Sequence, residues 1–273
     1  MTSPEPADLA SLDGAVRPAS ETVIPVADEG FIRGDGAFEV VRVYHGTLFA
    51  MDQHFDRLEG SARRLRLPME VDRRLLQQEA DELLDARGGQ DFDGCLRIIM
   101  TRGGRRLLMT EPLPEVPDRV RLGFVTYSPT RVLDGVKSLS YAANMLSSRL
   151  ARERGFDEAL MVTPHGRVLE APTSSVFWAG EDGVLRTPPL DDHILASITR
   201  ALVMQVVEVV ETSATPDDLT AAKEAFLAST AREVHSVAAI EETEFLEIGP
   251  RTREAAEAVG ARIAEALAAS RAG

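Results

Sequence analysis

Four residues in this 273-residue chain have types and settings suited to holding an anion and moving a proton. Lys137, in "GVKSLSYAANMLSSRL" (135–150), stands where a strand-like stretch ends and an Ala/Met/Leu-rich helix begins. An amine in an apolar junction of that kind is desolvated, and desolvation favours its neutral, nucleophilic form. Glu170, in "GRVLEAPTSSVFW", ends a short strand in a run that otherwise reads as buried. A carboxylate there can keep a ring nitrogen protonated. "LASITRALVMQ" (195–205) puts Ser197 or Thr199 at the start of an apolar helix, whose free N–H groups and dipole suit a phosphate. Arg57, in "HFDRL", lies beside the face formed by Phe55, Leu58 and Leu65, and its guanidinium could fork a phosphate.

Each residue also has an ordinary structural reading: a surface lysine, a strand-end acid, a helix N-cap, a solvated helix arginine. The weight lies in the combination. An imine-forming lysine, a carboxylate for a pyridine nitrogen, a phosphate-binding helix start and an arginine are the parts that pyridoxal 5′-phosphate (PLP) requires.

The elements that must carry these residues follow from pattern. "AFEVVRVYHGTLFAMD" (37–52) predicts two strands turning at His45-Gly46. Helical spacing of Phe55, Leu58, Ala62 and Leu65 predicts a helix over 52–68, and a second covers 73–89. Strands are expected at 95–104 and 119–127, joined by a basic, then Pro-rich loop, so the first part reads as a βαβ-like mixture. Residues 1–20 read as partly mobile. Beyond 136 come a helix over 141–154, short strands "EALMVT", "RVLE", "SSVFWA" and "GVLRTPP", helices at 197–211 and 217–224, a strand "AFLAS" and a closing helix at 250–271. The expectation is an α+β protein with a small N-terminal domain (1–127), a linker (128–135) and a larger C-terminal domain (136–273).

Composition narrows the function. A formal net charge of −14 opposes coating of nucleic acid or anionic membrane, so any anionic ligand needs a local positive site. Cys95 is the only cysteine, which excludes an intrachain disulfide and a Cys-based zinc site; no metal is expected. No apolar run has the length of a membrane span, and "MTSPEPADLA" lacks the apolar core of a signal peptide, so a cytoplasmic setting is expected.

From about residue 30 to 243 the chain resembles the class IV aminotransferases, the fold type IV PLP enzymes. The resemblance is carried in order by "RGDGAFEVVRVYHG", "HFDRLEGSA", "VKSLSYAANML", "DEALMVTPHGRVLEAPTSSVFW", "GVLRTPPLDDHILASITR" and "FLASTAREVHSV". It implies a two-domain fold with a smaller α/β N-terminal part, PLP as cofactor, an amino donor and a keto acid as substrates, and a homodimer. It implies that Lys137 forms the Schiff base, Glu170 pairs with the ring nitrogen, and Arg57 binds the phosphate. Tyr141 falls near the ring hydroxyl, Leu195 packs on the ring, and Ser197, Ile198 and Thr199 bind the phosphate. Thr230 and Ala231 fall on a turn near both the phosphate and the substrate carboxylate, although "TARE" also reads as a helix capping box. Phe38, Arg105 and Arg106 complete the substrate-side candidates.

The chain departs from the family pattern at Ala171 and Ser197, which replace glycines, and at Ser175, which replaces an asparagine. The blocks around residues 35–58 resemble D-amino acid aminotransferases, but the histidine of their carboxylate clamp is missing beside Arg105 and Arg106. Tyr141 and "STAREV" resemble branched-chain enzymes. The amino donor is thus a D-amino acid, a branched-chain amino acid or an (R)-amine. The same lysine would also serve an aminodeoxychorismate lyase, and a non-catalytic PLP-binding homologue is the third reading. "RGD" at 33–35 is read as a turn before a strand, not an adhesion tripeptide.

Overall fold

The computed structural model describes residues 8–272 and groups them into two compact units. The first holds residues up to Pro114 together with Val136–Ser140; the second holds Glu115–Gly135 and Tyr141–Ala272. This grouping differs from the linear division at 127 and 136. The physical reason is hydrogen bonding: Val136–Ser140 pairs with a strand of the first unit.

In the first unit β1 (Leu9–Leu12), β2 (Ala15–Pro18), a short helix α1 (Glu29–Arg33), β3 (Gly36–Tyr44), β4 (Thr47–Leu48), α2 (Met51–Leu65), α3 (Arg73–Arg87), β5 (Gly94–Thr101) and β6 (Arg106–Glu111) follow one another. The sheet order is β2-β1-β6-β5-β3-β4. Every pair in it is antiparallel, so the βαβ-like arrangement expected from the sequence is not formed. Val41, Val43, Leu96 and Ile98 from the sheet pack on Phe55, Leu58, Leu76 and Leu83 from α2 and α3.

Two expectations fail here. Residues 9–18, read as mobile, form the β1–β2 hairpin, because "LASL" finds β6 as a partner; residues 1–7 lie outside the described residues. The basic loop after Thr101 is strand β6 from Arg106, its polar positions satisfied by Asp13 and Glu79.

The second unit comprises β7 (Val120–Thr126), α4 (Ala142–Glu153), β8 (Glu158–Val162), β9 (Ser175–Ala179), β10 (Leu185–Thr187), α5 (Ile198–Val206), β11 (Val210–Glu211), α6 (Pro216–Thr220), β12 (Glu224–Ser229), β13 (Glu233–Ile240), β14 (Thr243–Glu244) and α7 (Pro250–Ala272). Its mixed sheet runs β11-β10-β9-β12-β13-β7-β8, with β14 on β13. β7 pairs in parallel with β8 and β13; Val120, Leu122 and Val125 are buried on it, while Arg121 and Thr126 are exposed. "RVLE" is no strand; Val168 makes only isolated bridges to Val162 and Ala214. The helix read over 197–211 stops at Val206, because 210–211 joins β10 in parallel. The helix read at 217–224 is only Pro216–Thr220, since Glu224 already opens β12. β13 contradicts the capping-box reading of "TARE": the residues after it pair with β12, and sheet pairing overrides the local helical signal.

Among the described residues no helix is long and apolar enough to cross a membrane. Phe226 of β12 is fully buried and stacks on Phe177 of β9, with centroids 4.8 Å apart and planes 7° apart. Phe226→Ala is expected to cost about 3–5 kcal/mol in urea denaturation, because a ring-sized cavity remains under a rigid sheet.

Candidate active site

In the first unit, β3 carries Glu39 as an acid inside an apolar strand, and its side chain is wholly buried. α2 puts His54 and Arg57 three residues apart, on one helical face. Arg57 donates Nε to Oε1 of Glu39 at 2.8 Å and Nη2 to Oε2 at 2.6 Å. His54 Nδ1 lies 2.8 Å from Oε2. Burial alone would raise the pKa of Glu39, but hydrogen bonds from Arg57 and His54 outweigh it and hold the carboxyl at about 2. Burial pushes His54 down, against the pull of Glu39, so a neutral imidazole donates its Nδ1–H to the carboxylate.

Lys137 belongs to the same unit. Its backbone N–H donates to Ser61 Oγ of α2 at 3.1 Å, and its carbonyl accepts from Phe38 N of β3 at 3.0 Å. Leu139 N donates to Gly36 O at 2.9 Å. A Cβ at Gly36 would lie 2.5 Å from Met100 O of β5 and 2.6 Å from Leu139 Cδ1, so glycine is needed here chiefly by the neighbouring strand. Lys137 Nζ stands 4.4 Å from the ring centroid of Phe38, a buried residue. The expected substrate arginines hold acids: Arg105 pairs with Asp13 at 2.8 Å, and Arg106 with the buried Glu79 at 2.6 Å. In "RGD", Asp35 binds Arg102.

In the second unit Glu170 Oε1 accepts from Leu195 N at 3.1 Å. This bond links the carboxylate to the segment entering α5. Ser197 caps α5, accepting from Arg200 N at 3.2 Å; its φ of −72° and ψ of 133° are extended, so the missing glycine costs no strain. Ile198 and Thr199 form the first turn of the helix, with Thr199 buried. Ala171, the other glycine replacement, has no positive φ. It closes a tight turn with Ser174, across Pro172 and Thr173. Ser175 is buried, and its Oγ has no hydrogen-bond partner among the described residues. Tyr141, just before α4, donates its hydroxyl to Pro172 O, and Asn144 Nδ2 reaches the same oxygen at 3.2 Å. Thr230 and Ala231 lie in the hairpin loop between β12 and β13.

Sequence reasoning missed Glu39 and His54. A single acid in "AFEVVRV", with a helical His and Arg at i, i+3 nearby, was the available signal. It also missed His193, which has a left-handed φ of 65° and whose Nδ1 lies 2.8 Å from Oδ2 of Asp134, three residues before Lys137.

The family model for class IV amino-transferases matches residues 36–240. A Methanocaldococcus jannaschii protein, provisionally named a branched-chain-amino-acid aminotransferase, is 32% identical over 247 residues, covering 82% of this chain and 84% of the relative. A D-alanine aminotransferase of Bacillus licheniformis is 32% identical over 250 residues, covering 84% and 87%. The solved branched-chain aminotransferase of Thermoproteus uzoniensis superposes with a TM-score of 0.85 at 28% identity, covering 93% of this chain and 94% of that one. The chain belongs to the class IV aminotransferase family and has the fold type IV architecture. It is an aminotransferase, with the PLP cofactor of that family, acting between an amino acid and a keto acid. The lyase alternative is not favoured.

Glu39→Gln leaves Arg57 beside a neutral amide and is expected to cost about 3–5 kcal/mol at pH 7 in urea denaturation. Glu39 has a depressed folded pKa. Its contribution is full above the ordinary carboxylate value of 4.5 and is lost as pH falls toward about 2. The gap between wild type and variant should therefore narrow across that window.

Proposed function

We propose that Lys137, Arg57, Glu170, Tyr141 and the start of α5 are the PLP-binding residues of this chain. The hydrogen bond from Leu195 N to Glu170 carries this reading, because it ties the acid to the segment that enters the capped helix start. The residues present fit the group. Glu170 offers a carboxylate to a ring nitrogen, α5 offers N–H donors to a phosphate, and Arg57 is held flat by a bidentate acid. When bound, PLP supplies an electron sink for the substrate's α-carbon. Lys137 would hold the cofactor through Nζ. The same amine would be the group placed to move the proton at the donor's Cα. Phe38 packs beneath this amine and limits its swing. Glu170 keeps a proton on the ring nitrogen. Glu39 and His54 orient Arg57.

For the amino donor we infer an L-branched-chain amino acid. Both loop arginines pair with acids, and this reading assigns the substrate carboxylate to the N–H groups of the Thr230–Ala231 turn. The Thermoproteus enzyme, whose structure was solved with norvaline, supports an aliphatic donor. A D-amino acid is the second reading, favoured by the D-alanine aminotransferase relatives. A homodimer is part of the proposal: α4 buries Ser147, Ser148 and Ala151 but exposes Leu146 and Leu150, the reverse of a helix in a monomer. A cytoplasmic setting completes it, consistent with one buried, unpaired cysteine.

The experiment is to add L-leucine, D-alanine and (R)-1-phenylethylamine separately to the PLP-loaded protein with 2-oxoglutarate. L-leucine should be the best donor; turnover of D-alanine alone would select the second reading. Lys137→Ala should lose about 10²- to 10⁴-fold in rate or more. Arg57→Ala should weaken PLP binding about 10- to 100-fold in an absorbance titration. Leu146→Glu should shift the mass measured by light scattering from dimer to monomer.

A further inference from the structure

Arg232 follows the Thr230–Ala231 pair directly, yet its side chain turns inward and is only 8% exposed. Nη1 donates to Glu158 Oε2 at 2.7 Å, and Nη2 reaches Oε1 at 3.2 Å. Nη2 also donates to Ser174 Oγ at 2.5 Å and lies 3.4 Å from Thr173 Oγ1. Glu158 opens β8, and its side chain is 10% exposed. One guanidinium thus joins three pieces of the second unit: the β12–β13 loop, the start of β8 and the tight turn that follows Glu170.

The loop has reason to need such a tie. Thr230, Ala231 and Arg232 span a three-residue hairpin between the paired Ser229 and Glu233. Glu233, the residue that closes the loop, takes a left-handed conformation, φ 54°, which glycine fills most easily. A non-glycine there costs energy, which contacts from the rest of the loop must offset. Arg232 cannot itself receive a substrate carboxylate, because Glu158 already neutralises it inside the protein.

We propose that Arg232 is a positioning residue. Through Glu158 and Ser174 it fixes the Thr230–Ala231 N–H groups for a carboxylate and keeps that loop in register with the turn after Glu170. This rests on the transaminase reading above. A misaligned donor pair weakens substrate binding before it slows proton movement at Cα, so the effect falls on KM more than on kcat.

The test uses full-length wild type, Arg232→Ala, Arg232→Lys and Ser174→Ala loaded with PLP. KM and kcat for 2-oxoglutarate, Tm and hydrogen exchange over 171–175 and 229–233 are compared. Arg232→Ala should raise KM about tenfold or more with kcat within about threefold, and speed exchange in both segments. Arg232→Lys keeps the charge on Glu158 but not the fork, so it should recover Tm and not KM. Ser174→Ala should raise KM in the same direction by about threefold. A KM within about twofold of wild type in Arg232→Ala despite a lower Tm would mark a purely structural ion pair and overturn the proposal, as would recovery of KM by lysine. If Arg232→Ala does not fold, the lysine and Ser174 variants decide by the same KM criterion. Wild type that neither binds PLP nor transaminates would instead sink the functional reading itself, and this proposal with it.

Discussion

The backbone pairing of Val136–Ser140 with β3 is the constraint on which the lysine's role depends. Lys137 has its carbonyl on Phe38 N and its N–H on Ser61, while Leu139 N holds Gly36 O. These bonds anchor the backbone of Lys137 to β3 and α2. Gly36 suits this crossing, since a Cβ there would meet Met100 O of β5 and the Leu139 side chain. The same strand supplies Phe38 under the amine and, one residue on, Glu39 on the opposite face.

Buried charge is the second theme. Glu39 with Arg57 and His54, Glu79 with Arg106, and Glu158 with Arg232 are each largely or wholly withdrawn from water and each paired. Pairs of this kind add little net stability, since desolvation consumes most of the Coulombic gain, but losing one partner is expensive. They act as geometric pins. In a chain with net charge −14, each pair also neutralises an arginine, Arg106 by the buried Glu79 among them.

The departures from the family pattern are conformationally mild. Ser197 caps α5 in an extended conformation, and Ala171 sits in a turn without positive φ. Each replacement adds a small side chain where the backbone geometry suits an ordinary residue. His193 and Glu233 differ: both occupy left-handed positions, and the bond from His193 to Asp134 accompanies the first. These left-handed residues stand at loop ends of the second unit, while inside its sheet Phe177 stacks on Phe226 and the β13–β7 register shifts between Val237 and Ala239.

The linear pattern determined a good deal. The spacing of Phe55, Leu58, Ala62 and Leu65 wrote out α2, His45-Gly46 marked the turn after β3, and the order of the motif blocks identified the family. Lys137, Glu170 and the "SITR" helix start could be singled out by residue type and by the order of the motif blocks, although of the three only the start of α5 is an element boundary in the structure. Tertiary structure alone decided the rest. β6 and β13 were hidden because polar residues such as Arg106 and Glu233 open them, and their partners lie far along the chain or across a tight turn. Val136–Ser140 joined the first unit for the same reason, as its hydrogen bonds reach back about a hundred residues to β3. Periodicity reports which face of an element is apolar. It carries no record of which distant strand, acid or arginine will complete that element's hydrogen bonds, and here those long-range partners set the pKa of Glu39, the pairing of Arg106 and the tie on Arg232.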